Sequence, residues 1–244
     1  RLIREAVKAA ARAREQAGPD AAPALPADLA ATFGAVEGVK TKALRNRQRP
    51  HTRTRITPAE MRRLANTPDR ATLKGKRDAA LLAVLAGSGL RASEAAGLEM
   101  GAIRKQGKGW VVAVLGKGQS EPRDALLTAE AYGLILDWVN ARPILSQYVF
   151  TAFTGRGAGR ATGAPMSATS IWRTVQTYAT ACDLAHIKPH DFRRFLGTQL
   201  ATDQPGRPGD IRKAQKALGH KSIETTARHY VLDELEAGAS DGQY

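Results

Sequence analysis

Cysteine is almost absent from this chain of 244 residues; Cys182 is the only one. No internal disulfide can form, and a metal site built on several thiolates is excluded, which fits a reducing cytoplasm. Aromatic residues make up 5%, too few for the stacking platforms on which single-strand binders seat successive bases. Apolar runs are short, such as Ala79–Ala86, so no membrane span is expected. The opening Arg-Leu-Ile-Arg-Glu runs into charged sequence and does not read as a signal peptide. The patterns G-x-x-x-x-G-K-S/T, H-E-x-x-H and G-x-S-x-G are all missing, which removes three common nucleotide-binding and hydrolytic readings. Carboxylates are not clustered as a two-metal nuclease would require.

Positive charge is what the chain has in excess. Lys and Arg number 37 against 23 Asp and Glu, a formal net charge of +14. Hydrophobic residues at 43% and charged residues at 25% are those of an ordinary globular protein. The length allows one large domain or two small ones with a real core. So basic a composition needs an anionic partner or serves as a solubilising surface, and duplex phosphate is the partner it fits best.

Along the chain, residues 1–17 read as a basic, Ala-rich helix ended by Gly18-Pro19, and a second helix carries Leu29, Phe33 and Val36. Lys40, Lys42, Arg45, Arg47, Arg49, Arg53 and Arg55 then form a basic run poor in apolar residues and interrupted by Pro50. It reads as an interdomain linker, either a solvated tether or a segment lying along phosphates. Thr57-Pro58-Ala59-Glu60 is a capping box with proline at the first helical position, and it opens a second domain. Residues 76–87 are expected to be a buried helix, and 110–115 and 123–127 two strands of a small antiparallel sheet with a turn near Lys117. Further helices are expected at 128–140, 167–182, 190–201, 210–218 and 222–235. The glycine-rich stretch 155–163 is expected to be a mobile surface loop. The fold class is mainly α with one small antiparallel β-sheet.

A scattered set of cations and one tyrosine lie beside helix ends and turns. Each has a plain structural explanation. Arg91 can be a cation at a helix C-terminus, Lys117 a turn lysine, His190 an N-terminal packing residue and Tyr230 a half-buried core residue. His190 and Arg193 share one helix face.

Their order carries more than any one of them. Gly89-Leu90-Arg91-Ala92-Ser93-Glu94, Gly116-Lys117-Gly118, His190-Asp191-Phe192-Arg193, Leu218-Gly219-His220 and the terminal Tyr230 together resemble the tyrosine recombinase, or phage integrase, family over about residues 56–235. The resemblance implies that family's catalytic-domain fold at 57–235. It implies the last helices of a DNA-clamping core-binding domain at 1–39, a basic linker at 40–56 and a flexible tail at 236–244; the short acidic segment 231–236 is either a simple helix end or, by the resemblance, a piece that docks on a neighbouring subunit. It implies a site-specific recombinase that cuts and rejoins duplex DNA through a 3′-phosphotyrosine and a four-way junction, with no metal and no nucleotide cofactor. Carried over by position, Tyr230 is the nucleophile, and Arg91 and Arg193 grip the scissile phosphate with His220 as a further donor. His190 assists proton transfer, Lys117 protonates the leaving 5′-hydroxyl, and Glu94 supports the arginines. Arg194 stands where many members have a second histidine and keeps a basic donor there. The implied partners are double-stranded DNA and a homo-tetramer assembled on it; the implied setting is the nucleoid of a prokaryotic or phage-infected cell. A type IB topoisomerase-like or hairpin-resolving relative, and a DNA-binding protein without catalysis, are the alternative readings.

Overall fold

The computed structural model describes residues 56–116, 120–155, 159–220 and 222–230. The expected clamping helices, the basic linker up to Arg55 and the tail after Tyr230 lie outside them.

The described chain opens on α1 (Pro58–Ala65), and its capping box forms as expected. Thr57 Oγ1 accepts the Glu60 amide at 3.2 Å, and the Glu60 carboxylate accepts the Thr57 amide at 2.8 Å. Two of the helix's orphan N-terminal donors are thereby satisfied. The long helix α2 (Leu73–Ser88) is capped by Thr72 and is the centre of the domain. Leu81, Leu82, Val84 and Leu85 are all buried on it, as expected of a helix covered on most sides. It ends at Gly89, whose φ of 61° is a left-handed conformation that glycine takes without a Cβ penalty.

A short helix, α3 (Ala92–Ala96), leads through a single 3-10 turn into a meander of β1 (Ile103–Gln106), β2 (Gly109–Val114) and β3 (Arg123–Leu127). The sheet is antiparallel in the order β1-β2-β3. The sequence pattern pointed to β2 and β3 alone. β1 escaped because its side chains are largely exposed and show no apolar alternation. Then come α4 (Ala129–Ala141), a hairpin of β4 (Thr151–Thr154) and β5 (Arg160–Pro165), and α5 (Ala168–Ala181). The hairpin corrects the expectation of a loop across 155–163: within that stretch, residues 160–163 belong to β5. Its glycines Gly155 and Gly159 take positive φ where the chain leaves β4 and nears β5, so they punctuate a ribbon. The domain therefore has two small sheets among its described residues, not one.

Three helices complete the domain: α6 (Pro189–Ala201), α7 (Ile211–Leu218) and α8 (Ile223–Tyr230). α2 packs against α4 and α6, and α7 against α6, α8 and β3. Trp138, Phe150 and Phe192 are fully buried in the core shared by these elements. Burying side chains of this size contributes on the order of 2–3 kcal/mol each. Among the described residues, no helix is long and apolar enough to cross a membrane.

Candidate active site

Arg91 follows the left-handed Gly89 by two residues and sits at the N-cap of α3. Its backbone amide donates to Glu94 Oε2 at 2.9 Å, and its Nη1 donates to Glu94 Oε1 at 2.7 Å. Glu94 is nearly buried, with 3% of its side chain exposed, while 41% of the Arg91 side chain remains open to solvent. The carboxylate thus holds one end of the guanidinium and leaves the rest presented outward.

Glu94 has a second cationic partner. Arg123, the first residue of β3, donates from Nη2 to Glu94 Oε2 at 3.0 Å and from Nη1 to the carbonyl of Ala217 at 2.8 Å. Only 10% of its side chain is exposed. Burial pushes its pKa below the ordinary arginine value; Glu94 opposes this and the neighbouring Arg91 charge adds to it. The motif reading missed Arg123. A signal was available: alternation along β3 places Arg123 in phase with the buried Ala125 and Leu127, so a cation occupies the inward face of the strand.

Arg193 on α6 is 1% exposed. Its Nη1 donates to the Gly89 carbonyl at 2.9 Å, and its Nη2 donates to the Leu218 carbonyl. It therefore joins the turn that carries Arg91 to the end of α7. That end is another left-handed glycine, Gly219, with φ of 63°. His220 follows. Its amide donates to the Gln215 carbonyl at 3.1 Å, and its Nδ1 lies 3.0 Å from Thr226 Oγ1 on α8.

His190 opens α6 beside Pro189. It keeps an exposed face, yet the surrounding protein desolvates it and lowers its pKa below the usual histidine value. The charges of Arg194, Arg193 and Arg91 push in the same direction, and Asp191 opposes them. The imidazole is thereby biased toward its neutral form, able to accept a proton at neutral pH. Arg194 is 3.5 Å from Asp191 in an ion pair one helical turn back.

Arg91, Glu94, Arg193 and His220 are thus linked through shared turns and hydrogen bonds, with His190 within their electrostatic reach. Tyr230 is the last residue of α8; its side chain lies outside the described residues. Lys117 also lies outside them, on the connection between β2 and β3. So do Lys40, Lys42, Arg45, Arg47, Arg49, Arg53 and Arg55. Among the described residues no group of three or more His, Cys, Asp or Glu side chains could hold a metal ion.

What fold and geometry define is a helical domain that gathers cations from α2–α3, β3, α6 and α7 around helix ends, with a small sheet at one side. Residues 54–235 match the model of the phage integrase family, and the chain belongs to that family. It is similar to the tyrosine recombinase XerD of Neisseria meningitidis, at 34% identity over 176 residues covering 71% of this chain and 56% of that protein. It is also similar to the tyrosine recombinase XerC of Myxococcus xanthus, at 34% identity over 199 residues covering 77% of this chain and 61% of that protein. The chain therefore spans less than two thirds of these relatives. Among solved structures, the XerH site-specific recombinase in its post-cleavage complex with a palindromic difH substrate superposes with a TM-score of 0.61. Identity there is 20%, over 78% of this chain and 54% of that one. The XerA recombinase superposes with a TM-score of 0.59 at 22% identity, over 76% and 62%. At these identities the superpositions establish a shared fold.

Proposed function

We propose that this chain is the catalytic part of a site-specific DNA recombinase that cleaves and rejoins duplex DNA through a covalent tyrosine intermediate. The observation that carries the reading is the cationic cluster itself: Arg91, anchored yet 41% exposed, two residues after a turn that the buried Arg193 bonds to the chain end leading into His220, in a domain matched by the phage integrase family.

The chemistry asks for these residue types. The Tyr230 phenolic oxygen attacks the scissile phosphorus, a Tyr O–P bond forms, and the bond from phosphorus to the 5′-oxygen breaks. The phenolic proton passes to a base, for which the neutral imidazole of His190 is suited. The 5′-oxygen leaves as a hydroxyl after taking a proton from Lys117. Negative charge grows on the non-bridging oxygens as phosphorus becomes pentacoordinate, and the planar guanidiniums of Arg91 and Arg193 match those oxygens, with His220 as a further donor. Phosphotyrosine conserves the free energy of the broken bond, so the reverse attack by a 5′-hydroxyl from another strand rejoins DNA with no nucleotide consumed. The arginines supply the charge neutralisation that metals supply elsewhere.

The proposed organisation is core-binding-domain helices at 1–39, the linker at 40–56 lying along phosphates through its seven Lys and Arg residues, the catalytic domain at 57–235 and a tail at 236–244. Exchange between two duplexes needs four active sites, hence a homo-tetramer around a four-way junction on nucleoid DNA. The test is incubation with pairs of labelled duplexes taken from the DNA flanking the gene. Product with exchanged flanks is expected. Relaxation of supercoils without exchange would assign a topoisomerase-like activity instead, and salt-sensitive binding with no broken strand would leave only a DNA-binding protein.

A further inference from the structure

Glu94 is a liability for the arginine it anchors. A phosphate-gripping guanidinium bonded to a buried carboxylate forms a pair of net charge zero, and its pull on a developing dianionic phosphorane falls accordingly. Arg123 answers that problem. Glu94 Oε1 takes Arg91 Nη1, while Oε2 takes both the Arg91 amide and Arg123 Nη2. Two guanidiniums share one carboxylate, and the group of three carries a net charge of +1. We propose that Arg123 is a positioning residue of the reaction: by neutralising Glu94 it preserves the positive charge of Arg91, and through the Ala217 carbonyl it ties His220 to the same frame. This rests on the DNA-cleavage reading above.

Three further observations agree. The Arg123 side chain is held close against the turn before His220: a Cβ built on Gly219 would lie 2.1 Å from Arg123 Cδ. Gly219 thus serves two needs, a left-handed turn and room for Arg123. Arg123 Nε is buried with no hydrogen-bond partner in the structure, a cost that a merely structural cation would not be expected to carry in place of an apolar residue. Finally, the Ala217 and Leu218 carbonyls, adjacent at the end of α7, are taken by Arg123 and Arg193 respectively. Two arginines from different elements thereby hold the segment that leads into His220.

The experiment compares wild type, R123Q, R123K and the double variant E94Q/R123Q at a temperature below every variant's melting transition. Single-turnover formation of the denaturation-resistant adduct is followed on a nicked duplex at saturating DNA, alongside duplex affinity and amide exchange at Gly219 and His220. R123Q should slow adduct formation about ten- to a hundred-fold, the loss usual when the partner orienting a reactive group is removed, with duplex affinity unchanged. E94Q/R123Q should be faster than R123Q, because removing the carboxylate charge returns Arg91 its own. R123K should fall between R123Q and wild type. An R123Q enzyme at the wild-type rate, or a double variant no faster than R123Q, would overturn the proposal; a purely structural role predicts that the second substitution does not help. A wild-type protein that forms no adduct would defeat the DNA-cleavage reading instead. The exchange readout then decides the placement alone: faster exchange at His220 in R123Q is expected, and unchanged exchange would overturn the tether.

Discussion

Two arginine clusters in this domain use the same residue type for opposite ends. In the first, Arg77 donates from Nε and Nη2 to Asp78 and from Nη1 to the Thr151 carbonyl, and it lies over the Phe153 ring at 4.7 Å. Asp78 also accepts from the Tyr178 hydroxyl at 3.0 Å. Both charges are shut in, with 4% and 1% of their side chains exposed. The cluster is neutral and closed, and none of its residues belongs to a family motif. In the second, Glu94 is shared by Arg91 and Arg123, and Arg91 opens to solvent. One cluster spends its cation on an internal carboxylate; the other carries more cation than its carboxylate can cancel. Exposure and charge balance, more than residue identity, separate Arg77 from Arg91.

That contrast can be broken from either side. Asp78→Ala strands the buried Arg77 charge and should cost about 3–5 kcal/mol of stability, read as a lower denaturant midpoint; adduct formation by the protein that remains folded should be near normal. Arg91→Ala should do the reverse. The reaction barrier should rise by about 3–4 kcal/mol, on the order of a hundred- to a thousand-fold in rate, while the melting temperature hardly moves because the side chain is partly exposed. Should Arg91→Ala unfold the protein and Asp78→Ala leave its stability intact, the two roles have been assigned the wrong way round.

A pH profile sharpens the picture. His190 has a depressed folded-state pKa, so its neutral form persists below the pH at which an ordinary histidine protonates. Adduct formation should therefore be insensitive to this group at neutral pH and should fall only once the pH drops below that depressed value. His190→Gln should remove that acid limb. The same shift acts on stability: as pH falls from the ordinary histidine value toward the folded one, the unfolded chain takes up the proton first and the fold loses stability. A rate that begins to fall above the ordinary histidine pKa would contradict this assignment. The smallest effect belongs far from both clusters. Thr57→Ala removes the α1 cap and should cost about 1 kcal/mol, seen in thermal melting with no change in cleavage.

Much of this domain was legible in its sequence, for reasons that differ by element. Most helices announced themselves, with Thr57, Thr128 and Ser167 at their N-caps and Gly89 and Gly219 beyond their ends, because capping chemistry is local; the five-residue α3 did not. β1 and the β4–β5 hairpin were not legible as strands. They are short, and β1 and β5 are mostly exposed, so no apolar alternation marks them, although each pairs with the next strand along the chain. At the site, Arg91, Glu94, Arg193 and His220 stood out through motif order. Arg123 did not, since its role comes from facing Glu94 and Ala217, residues 29 and 94 positions away. No local pattern encodes such a meeting; only the inward phase of a charged residue on β3 hinted at it.

The central claim is that the phenol at the end of α8 attacks phosphorus. Tyr178 is a poor rival: burial first, and then the Asp78 charge beside it, push its pKa above the usual tyrosine value, so its phenolate is rarely formed. The most direct measurement is mass spectrometric mapping of the tyrosine that carries nucleotide after a nicked duplex has been trapped, in wild type and in Tyr230→Phe. The account predicts the nucleotide on the Tyr230 peptide, and a Tyr230→Phe protein that binds duplex as tightly but traps none. Nucleotide on another tyrosine, or an adduct that survives Tyr230→Phe, would contradict it.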